Sequence, residues 1–547
     1  MFNLALIHEA IAQQIPDREA IVFRDRRFSW RQLTDRTRRL AETLRGYGLG
    51  CHTERSKLEN WESGQDHVGL YLRNGNEYLE GMLGAFKARA VPFNVNYRYL
   101  DDELAGLLDD ADARALIFHA SFAPILDRIR DRLPKLALLI QVSDDSGESL
   151  LTGALDYEEA LAASSPSCPA SDLSADDLYI LYTGGTTGVP KAVLWRQEDI
   201  FHAALYSGDA GSLEAVVERA LREGPRVLTA PPFMHGAAHW VAFNMWYVGG
   251  TVIVPSNVRQ LDPADVWSTI ERERATALCI VGDAFGRPLV DELRASDYDV
   301  SRLRLITSGG AILSPALKRE LLDRIPGLRL LDALGSSEAG TQAAQYSEKG
   351  DAVTSGDFAL KAENFVLKAD RSGVAAPGSS ESESEPGWAA RRGRVPLGYY
   401  KDPSKTAETF PVIDGVRYAV PGDRARVAAD GSMQLLGRDS ATINTGGEKV
   451  FAEEVERALK HHPDVYDAVV VPTPHERWGQ QVTALVVVRE GKEISASGLI
   501  DASRDLIAPF KLPRRVIFVD EIVRAPSGKA DYRWAKSRAL EAPGADV

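Results

Sequence analysis

The sequence predicts an α/β protein: a large N-terminal domain of several subdomains with layered, largely parallel sheets, followed by a small, mobile α+β C-terminal lid domain. Three observations lead to this prediction: the length of 547 residues, the alternation of short apolar runs with helical patterns, and a change of pattern near residue 437. At about 100–200 residues per domain, the length allows three or four domains or subdomains. We place the domains at 1–436 and 441–547, joined by a hinge at 437–440 that contains Ser440.

Hydrophobic periodicity predicts the elements of the N-terminal part. The opening stretch "MFNLALIHEAIAQQIPDREA" indicates an amphipathic helix rather than a signal peptide, because it has no basic segment and is interrupted early by His8 and Glu9. The segment "YLEGMLGAFKARAV" has helical spacing, whereas "ATALCIVGDA" is typical of a short buried strand. In "LRLITSGGAILSPALKRELLDRI" a strand and a glycine turn precede a helix, with Ser314 as N-cap and Pro315 at its first position.

The C-terminal part has its own pattern. Residues 370–387 are rich in Ser, Glu, Gly and Pro, which predicts a flexible surface loop. A strand is expected to end at Leu436, where residues with linker composition begin. Beyond them "AEEVERAL" predicts a short helix, and "DAVVVPTP" and "VTALVVVRE" predict strands. About a hundred residues therefore form a separate small domain.

Composition excludes several classes of protein. The net charge of −14 argues against a nucleic-acid partner, although a small phosphorylated ligand needs only local positive charge. The three cysteines, Cys51, Cys168 and Cys279, are far apart and form no CxxC pair, which argues against a disulfide framework or a zinc site. No run reaches the ~20 apolar residues of a transmembrane segment. We therefore expect a cytoplasmic protein.

Residues 182–191 read "YTGGTTGVPK" and suit either a phosphate cradle or an ordinary tight turn. The loop is not a Walker A motif, because Pro190 rather than Gly precedes Lys191 and Ala192 rather than Ser or Thr follows it. Its glycines, its threonines and the lysine still suit a polyphosphate. The segment by itself leaves both interpretations open.

Together, five segments resemble the motifs of the adenylate-forming superfamily, which includes acyl-CoA synthetases, adenylation domains of peptide synthetases and beetle luciferases. They are "YTGGTTGVPK" (182–191), "ALGSSEAG" (333–340), "YAVPGDRARV" (418–427), "GRDSATINTGGEKVFAEEVE" (437–456) and "APSGKADYRW" (525–534). They occur in the family's order and spacing, and the resemblance covers residues 5–540, nearly the whole chain. The segments are most similar to bacterial, especially actinobacterial, ligases for long-chain or steroid side-chain carboxylic acids.

The resemblance implies an ATP-dependent acyl-CoA ligase. In such an enzyme a carboxylate attacks the α-phosphate of ATP to give acyl-AMP and pyrophosphate, and the thiol of coenzyme A then displaces AMP. Both half-reactions depend on charge neutralisation and positioning. The implied partners are a bulky apolar carboxylic acid, ATP and coenzyme A, with Mg²⁺ as cofactor; a homodimer is left open.

The resemblance also implies roles for single residues. Lys529, Glu338 and Thr187 would be catalytic, with Glu338 holding Mg²⁺ on the phosphates and Lys529 bridging the carboxylate and the α-phosphate. Asp423 would accept hydrogen bonds from the ribose hydroxyls, and Arg438 would contact ribose and phosphate. The other residues expected to bind ATP or AMP are Thr183, Gly184, Gly185, Thr186, Gly188, Lys191, Gly310, Ala311, Asp332, Ala333, Leu334, Gly335, Ser336 and Ser337.

The acyl pocket and the coenzyme A side are implied by two further segments. In "PPFMHGAAHWVAFNMW" (231–246) the pocket candidates are Phe233, His235 and Trp240, with Val241, Phe243 and Trp246 as further apolar candidates. In "TSGGAILS" (307–314) the candidate is Gly309. For His235 and the tryptophans a structural role in the core is an equal alternative. The loop expected to meet coenzyme A contains Gly446, Gly447, Glu448 and Lys449.

Four positions depart from the family pattern. Leu334 replaces an aromatic residue, Ser337 and Pro421 each replace a threonine, and Ser440 stands where relatives often have Asp or Lys. Two other functions stay open: an adenylating enzyme that loads a carrier protein or an amino acid, and a non-catalytic nucleotide-binding relative. Retention of Glu338, Asp423 and Lys529 together argues against the second.

Overall fold

The computed structural model describes residues 2–167, 169, 171–183, 190–206, 208, 210–351, 354, 356–360, 363–377, 386–445, 448–542 and 545–546. Within these residues the strands form five sheets, four of them before residue 440 and one after it. This mixed α/β architecture, with a large N-terminal part and a small C-terminal part, confirms the predicted fold class.

Two of the N-terminal sheets have the expected parallel order. In the eight-stranded sheet the six inner strands run parallel and both edge strands run antiparallel to their neighbours; in order, the strands are Gly340–Ser347, Arg329–Ser336, Leu305–Gly309, Ala277–Ile280, Arg226–Thr229, Thr251–Val254, Glu19–Phe23 and Arg26–Ser29. The five-stranded sheet is parallel throughout, in the order Val91–Asn94, His67–Tyr71, Ala113–His119, Leu138–Val142 and Leu155–Asp156. The inner strands are buried on both faces, which explains their continuous apolar sequences.

The other two N-terminal sheets are antiparallel, so the prediction of largely parallel sheets was wrong for them. The first has the order Asp357–Phe358, Met433–Arg438, Asp423–Val427, Gly387–Arg392, Val416–Ala419 and Val412–Ile413, and Asn364–Leu367 also pairs with Gly387–Arg392. The second contains Gly398–Tyr399, Lys191–Arg196 and Leu178–Thr183. Short turns rather than helices join several of these strands, and such hairpins impose antiparallel pairing.

The C-terminal sheet belongs to the part of the chain predicted as a lid. Its strands are Glu448–Phe451, Thr442–Thr445, Gly479–Val488, Arg515–Phe518 and Ala545–Asp546, and Val465–His475 pairs with Gly479–Val488. The strand before the predicted hinge reaches Arg438 rather than Leu436, and Asp439–Ala441 forms one 3-10 turn. The part predicted as a hinge is therefore short and regular.

Helices pack on these sheets. In the N-terminal part they are Leu4–Gln14, Trp30–Gly46, Asn76–Lys87, Asp101–Asp110, Ala123–Ile129, Tyr157–Ala163, Gln197–Ile200, Leu213–Leu221, Gly236–Tyr247, Pro263–Glu273, Gly282–Ala295, Pro315–Arg324 and Pro403–Thr409, with a π-helical turn at Phe201–Leu205. In the C-terminal part they are Ala452–Leu459, Ala496–Ser503 and Tyr532–Glu541. Further 3-10 turns lie at Arg55–Lys57, Ala120–Phe122, Arg130–Arg132 and Pro509–Lys511. Among the described helices, none combines the length and apolarity that crossing a bilayer requires.

The structure corrects the prediction for the first helix, confirms Ser314 as an N-cap residue and shortens the predicted loop. The first helix forms as expected but is buried on most sides rather than amphipathic, because Glu9 pairs with the fully buried Lys87 at 2.6 Å and His8 is buried beside it. Ser314 occupies the N-cap position, yet its side chain makes no capping bond; its backbone N–H instead donates to Asp283 Oδ1 at 2.7 Å. Of the predicted loop at 370–387, Gly387 already belongs to a strand, and residues 378–385 lie outside the described residues.

Candidate active site

A tight turn between the edge strand Gly340–Ser347 of the eight-stranded sheet and its inner neighbour Arg329–Ser336 carries Glu338. Trp195 Nε1 donates a hydrogen bond to the carbonyl oxygen of Ser337 at 2.8 Å, and Arg391 Nη1 donates to that of Ala339 at 2.9 Å. The hydroxyl of Tyr399 donates to Glu338 Oε1 at 3.1 Å. Burial and the charge of Glu338 raise the pKa of Tyr399, so this phenol remains a donor. The carboxylate of Glu338 is thus held in a defined position.

Lys191 closes the hairpin whose tip carries the predicted phosphate loop. It lies directly opposite Thr183 in the strand register, so the two ends of the loop are adjacent. Its ammonium forms an ion pair with Asp402 and lies 5.7 Å from the ring centroid of Tyr399. The loop residues Gly184, Gly185, Thr186, Thr187 and Gly188 lie outside the described residues.

Asp423 and Arg438 face each other on neighbouring antiparallel strands. Arg438 Nε lies 2.8 Å from Asp423 Oδ1, and Arg438 Nη1 donates to the carbonyl oxygen of Pro421 at 3.1 Å. The Asp423 carboxylate is the main cause of the raised pKa of Arg438. The two residues that the motifs suggested for ribose binding therefore form one ion pair.

Lys529 reaches this group from the C-terminal part. It follows Gly528, whose φ of 76° favours glycine and whose missing Cβ would lie 3.1 Å from the carbonyl oxygen of Val281. Arg524 Nη1 donates to the carbonyl oxygen of Gly528 at 2.9 Å and also pairs with Asp467, which supports the turn. A side chain at position 528 would thus push the turn away from the N-terminal part.

The environment of the Lys529 ammonium combines both charges. Loss of surrounding water and the positive charge of Arg438 lower its pKa, while Glu338, Asp423 and Glu453 act in the opposite direction. Although the ammonium loses part of its surrounding water, Lys529 keeps an exposed surface, so the cleft that it enters is open. The structure therefore brings together Glu338, Asp423, Arg438 and Lys529, which lie far apart in the sequence.

His235 lies beside the same group, at the N-cap of the helix Gly236–Tyr247. Its Nε2 atom is buried and has no hydrogen-bond partner among the residues that the structure describes. Burial and the charge of Lys529 lower the pKa of His235 to about 3, so its imidazole is neutral at physiological pH. A neutral, unsatisfied ring at this place can meet a substrate group.

Trp240 is held by a chain of hydrogen bonds that the sequence did not predict. Its Nε1 donates to the hydroxyl of Tyr179 at 2.8 Å. Since the carbonyl oxygen of Phe233 can only accept, His239 Nδ1 carries the proton of their 2.7 Å bond, and the Tyr179 hydroxyl donates to His239 Nε2. All four residues are buried, which locks the orientation of the indole.

Two other pocket candidates belong to the core. Trp246 Nε1 donates to the carbonyl oxygen of Ala20 at 2.7 Å, and its ring packs against Trp30. Phe243 is fully buried against Trp246. Trp246 and Phe243 are therefore core residues, an alternative that periodicity could not distinguish from a pocket wall. Val241 packs against the same cluster.

Some predicted nucleotide contacts have other partners. The carboxylate of Asp332 forms an ion pair with the buried Lys318, which also donates to the carbonyl oxygen of Thr354 at 2.7 Å. Burial raises the pKa of Asp332. Leu334 packs in a small cluster that includes Phe358. These contacts give Asp332 and Leu334 a structural role.

The remaining predicted residues lie at a strand end, along a strand or on exposed turns. Gly309 is the last residue of the parallel strand Leu305–Gly309, and Gly310 and Ala311 follow it, at the end of the strand where α/β proteins bind ligands. Ala333, Gly335 and Ser336 are half-buried on the strand that leads to Glu338. Glu448, Lys449 and Ser440 are exposed, whereas Gly446 and Gly447 lie outside the described residues.

Comparison with known proteins shows the family of the chain. The model of the AMP-binding enzyme family matches residues 8–378, and that of the AMP-binding enzyme C-terminal domain matches residues 454–529. The "Medium-chain acyl-CoA ligase Mig" of Mycobacterium avium is 49% identical over 98% of both chains. The "3-oxocholest-4-en-26-oate--CoA ligase" of Rhodococcus rhodochrous is 39% identical over 100% of this chain and 97% of the other.

Solved structures share the fold at lower identity. The anthranilate CoA ligase AuaEII in complex with anthranoyl-AMP superposes with a TM-score of 0.81 at 22% identity, covering 98% of this chain and 97% of that one. ATP-bound MatB from Rhodopseudomonas palustris gives a TM-score of 0.80 at 23% identity, with 99% of both chains covered. With both family models matched in order and relatives similar along the whole length, the chain belongs to the AMP-binding enzyme family.

Proposed function

We propose that this enzyme activates a bulky apolar carboxylic acid, either a medium- or long-chain fatty acid or a steroid with a side-chain carboxylate. The enzyme class follows from the family and from the full-length relatives: the chain is an ATP-dependent, AMP-forming acyl-CoA ligase. The observation that carries the proposal is the convergence of Lys529 with Glu338, Asp423 and Arg438 in one open cleft. The substrate class is supported by the relatives' names and by the apolar surroundings of Trp240.

In the proposed first half-reaction, Lys529 donates hydrogen bonds to the acid carboxylate and to the α-phosphate while negative charge develops between them. The negative charge of both substrates would offset the repulsion that Lys529 experiences from Arg438. Asp423 would accept hydrogen bonds from the ribose, because a carboxylate has about four lone-pair sites and Arg438 Nε uses one. The acid and the nucleotide are thereby oriented for attack.

Glu338 is the residue that would hold Mg²⁺. Magnesium is commonly bound by one or two carboxylates together with substrate phosphates. Glu338 supplies such a carboxylate, and Tyr399 lies against both it and Lys191. When bound, the ion would supply neutralisation of phosphate charge, and Tyr399 would keep the carboxylate oriented.

Lys191 would bind the phosphates from the other side of the cleft. Its ion pair with Asp402 keeps the ammonium in place before ATP arrives, and the phosphates would then compete with Asp402 for it. His235, neutral and unsatisfied, would contact the acyl group or its carboxylate. Trp240, fixed by Tyr179, would form a wall of the acyl pocket.

The C-terminal part would turn between the half-reactions, as a lid hinged at 437–440. In the present arrangement Lys529 lies in the cleft while Glu448 and Lys449, proposed to meet coenzyme A, are exposed at a hairpin. A rotation about the short 3-10 turn Asp439–Ala441 would exchange these faces. The domains at 1–436 and 441–547 are proposed on this basis.

Replacing Ser440 by proline tests the hinge. Proline fixes φ near −65°, which a 3-10 turn accepts, so Ser440→Pro should hold the present arrangement. We expect acyl-AMP formation to persist while coenzyme A thioester formation slows by about tenfold or more. Separate assays of pyrophosphate release and thioester formation measure the two steps, and Ser440→Ala is the matched control. Unchanged thioester turnover in Ser440→Pro would contradict the hinge assignment.

The reaction class has its own test. Purified enzyme with ATP, Mg²⁺ and octanoate should release pyrophosphate, and adding coenzyme A should convert the acid to its thioester. Pyrophosphate release without any thioester would support the carrier-loading alternative, whereas nucleotide binding without pyrophosphate release would support a non-catalytic relative. Sedimentation of the same preparation tests whether the protein forms a homodimer.

A further inference from the structure

Glu453 makes an unusual contact across the proposed hinge. It lies in the first turn of the lid helix Ala452–Leu459, and its Oε2 atom accepts a hydrogen bond from the backbone N–H of Arg438 at 2.9 Å. The approach is possible because residue 437 is glycine: a Cβ there would lie 1.6 Å from the same oxygen. Gly437 also has a φ of 141°, which favours glycine. The carboxylate therefore lies directly on the backbone of Gly437 and Arg438.

This contact joins two parts of the site. The guanidinium of Arg438 pairs with Asp423, at the end of the last strand before the hinge. Glu453 belongs to the lid, as Lys529 does. Glu453 also interacts electrostatically with Lys529. A rotation of the lid about Ser440 would separate Glu453 from Arg438, and the same rotation would take Lys529 out of the cleft. The Glu453–Arg438 contact and the placement of Lys529 in the cleft therefore occur in the same arrangement.

We propose that Glu453 is a positioning residue for the first half-reaction: it holds the backbone of Arg438, and with it the Arg438–Asp423 pair, while Lys529 occupies the cleft. The inference rests on the proposed function, because it requires two half-reactions with different lid positions. It assigns Glu453 no contact with substrate. Its effect reaches the nucleotide through Arg438.

The charge of Glu453 depends on pH in a useful range. Burial, and then the charge of Glu456, raise its pKa to about 7, although Arg438 and Lys529 are positive neighbours and Asp423 is a further negative one. After rotation into water the carboxyl would titrate near ~4.3. The arrangement in which Glu453 contacts Arg438 has the higher pKa and so binds the proton more tightly than the rotated arrangement. It is therefore favoured at low pH, and this advantage is lost as the pH rises through about 7.

Three variants test the inference in the full-length enzyme. Glu453→Ala leaves the Arg438 N–H without its acceptor, and we expect pyrophosphate release to slow roughly 5- to 100-fold while thioester formation from supplied acyl-AMP stays unchanged. Glu453→Gln keeps an oxygen acceptor that cannot ionise, so it should restore adenylation. Asp501→Asn, which removes a carboxylate paired with Arg504 on the exposed lid surface, is the control and should change neither step.

A pH profile separates positioning from a merely structural role. Between pH 6 and 8 the ratio of thioester formation to adenylation should rise more steeply in the wild type than in Glu453→Gln; thiol ionisation of coenzyme A affects both equally and cancels in the comparison. Identical profiles, or an equal loss of both half-reactions in Glu453→Ala, would overturn the inference.

A double-mutant cycle gives a second test should Glu453→Ala fold poorly. Gly437→Ala should displace the carboxylate of Glu453, and Glu453→Asp should withdraw it because the side chain is shorter; if the two positions are coupled, the double change should cost less than the sum of the single changes. Additive effects would count against the contact. If the wild type releases no pyrophosphate with any acid, the proposed function fails instead, independently of these variants.

Discussion

Replacing Lys529 by alanine is expected to slow acyl-AMP formation roughly 10²–10³-fold, the usual loss when one preorganised donor to a developing charge is removed. Lys529 is the lid residue that meets the charges of Arg438, Glu338 and Asp423. Thioester formation from supplied acyl-AMP should be nearly unchanged, because the proposed rotation carries Lys529 away before that step. Pyrophosphate release and thioester formation from synthetic acyl-AMP, assayed separately, measure the two rates.

A matched lysine provides the control for this experiment. Lys536 lies on the same lid, is exposed, and has no proposed role, so Lys536→Ala should leave both half-reactions unchanged. An equal loss in both steps for Lys529→Ala would show that the lysine stabilises the lid or the fold rather than the charge that develops at the α-phosphate.

Catalytic efficiency should increase steeply with the length of the acid. Each methylene buried against apolar walls such as Trp240 contributes about 0.8 kcal/mol, or roughly fourfold. The six additional methylenes of octanoate over acetate would then raise kcat/KM by up to roughly 3 × 10³-fold. The measurement is kcat/KM for acetate, octanoate, palmitate and a steroid acid with a side-chain carboxylate.

The same series defines the shape of the pocket. A preference for palmitate indicates a narrow tunnel, and a preference for the steroid acid indicates a broad slot. Trp240→Ala should shift the optimum towards larger acids, and Tyr179→Phe should shift it in the same direction but less, because it frees the indole without removing it. A preference for acetate or for an amino acid would contradict the proposed substrate class.

The fold and part of the site could be predicted because both are encoded locally. Apolar runs and helical spacing predicted the strand "ATALCIVGDA" and the helices at the N-terminus, in "YLEGMLGAFKARAV", after Ser314 and in "AEEVERAL". Five short motifs pointed to Glu338, Asp423, Arg438 and Lys529, and the structure brings these residues together. A motif of this kind specifies a turn and the side chain at its tip, and both depend on only a few neighbouring residues.

The sequence by itself determined the family, the α/β class and the charged residues of the cleft; the tertiary structure decided which partners those residues have. Lys191 pairs with Asp402, 211 residues away, and Asp332 pairs with Lys318. Trp246 turned out to be a core residue, since periodicity marks an apolar face without showing what covers it. Likewise, Gly437 resembles an ordinary turn glycine until the carboxylate of Glu453 is found on its backbone. Such pairings depend on how distant segments pack, and packing is not encoded in any one segment.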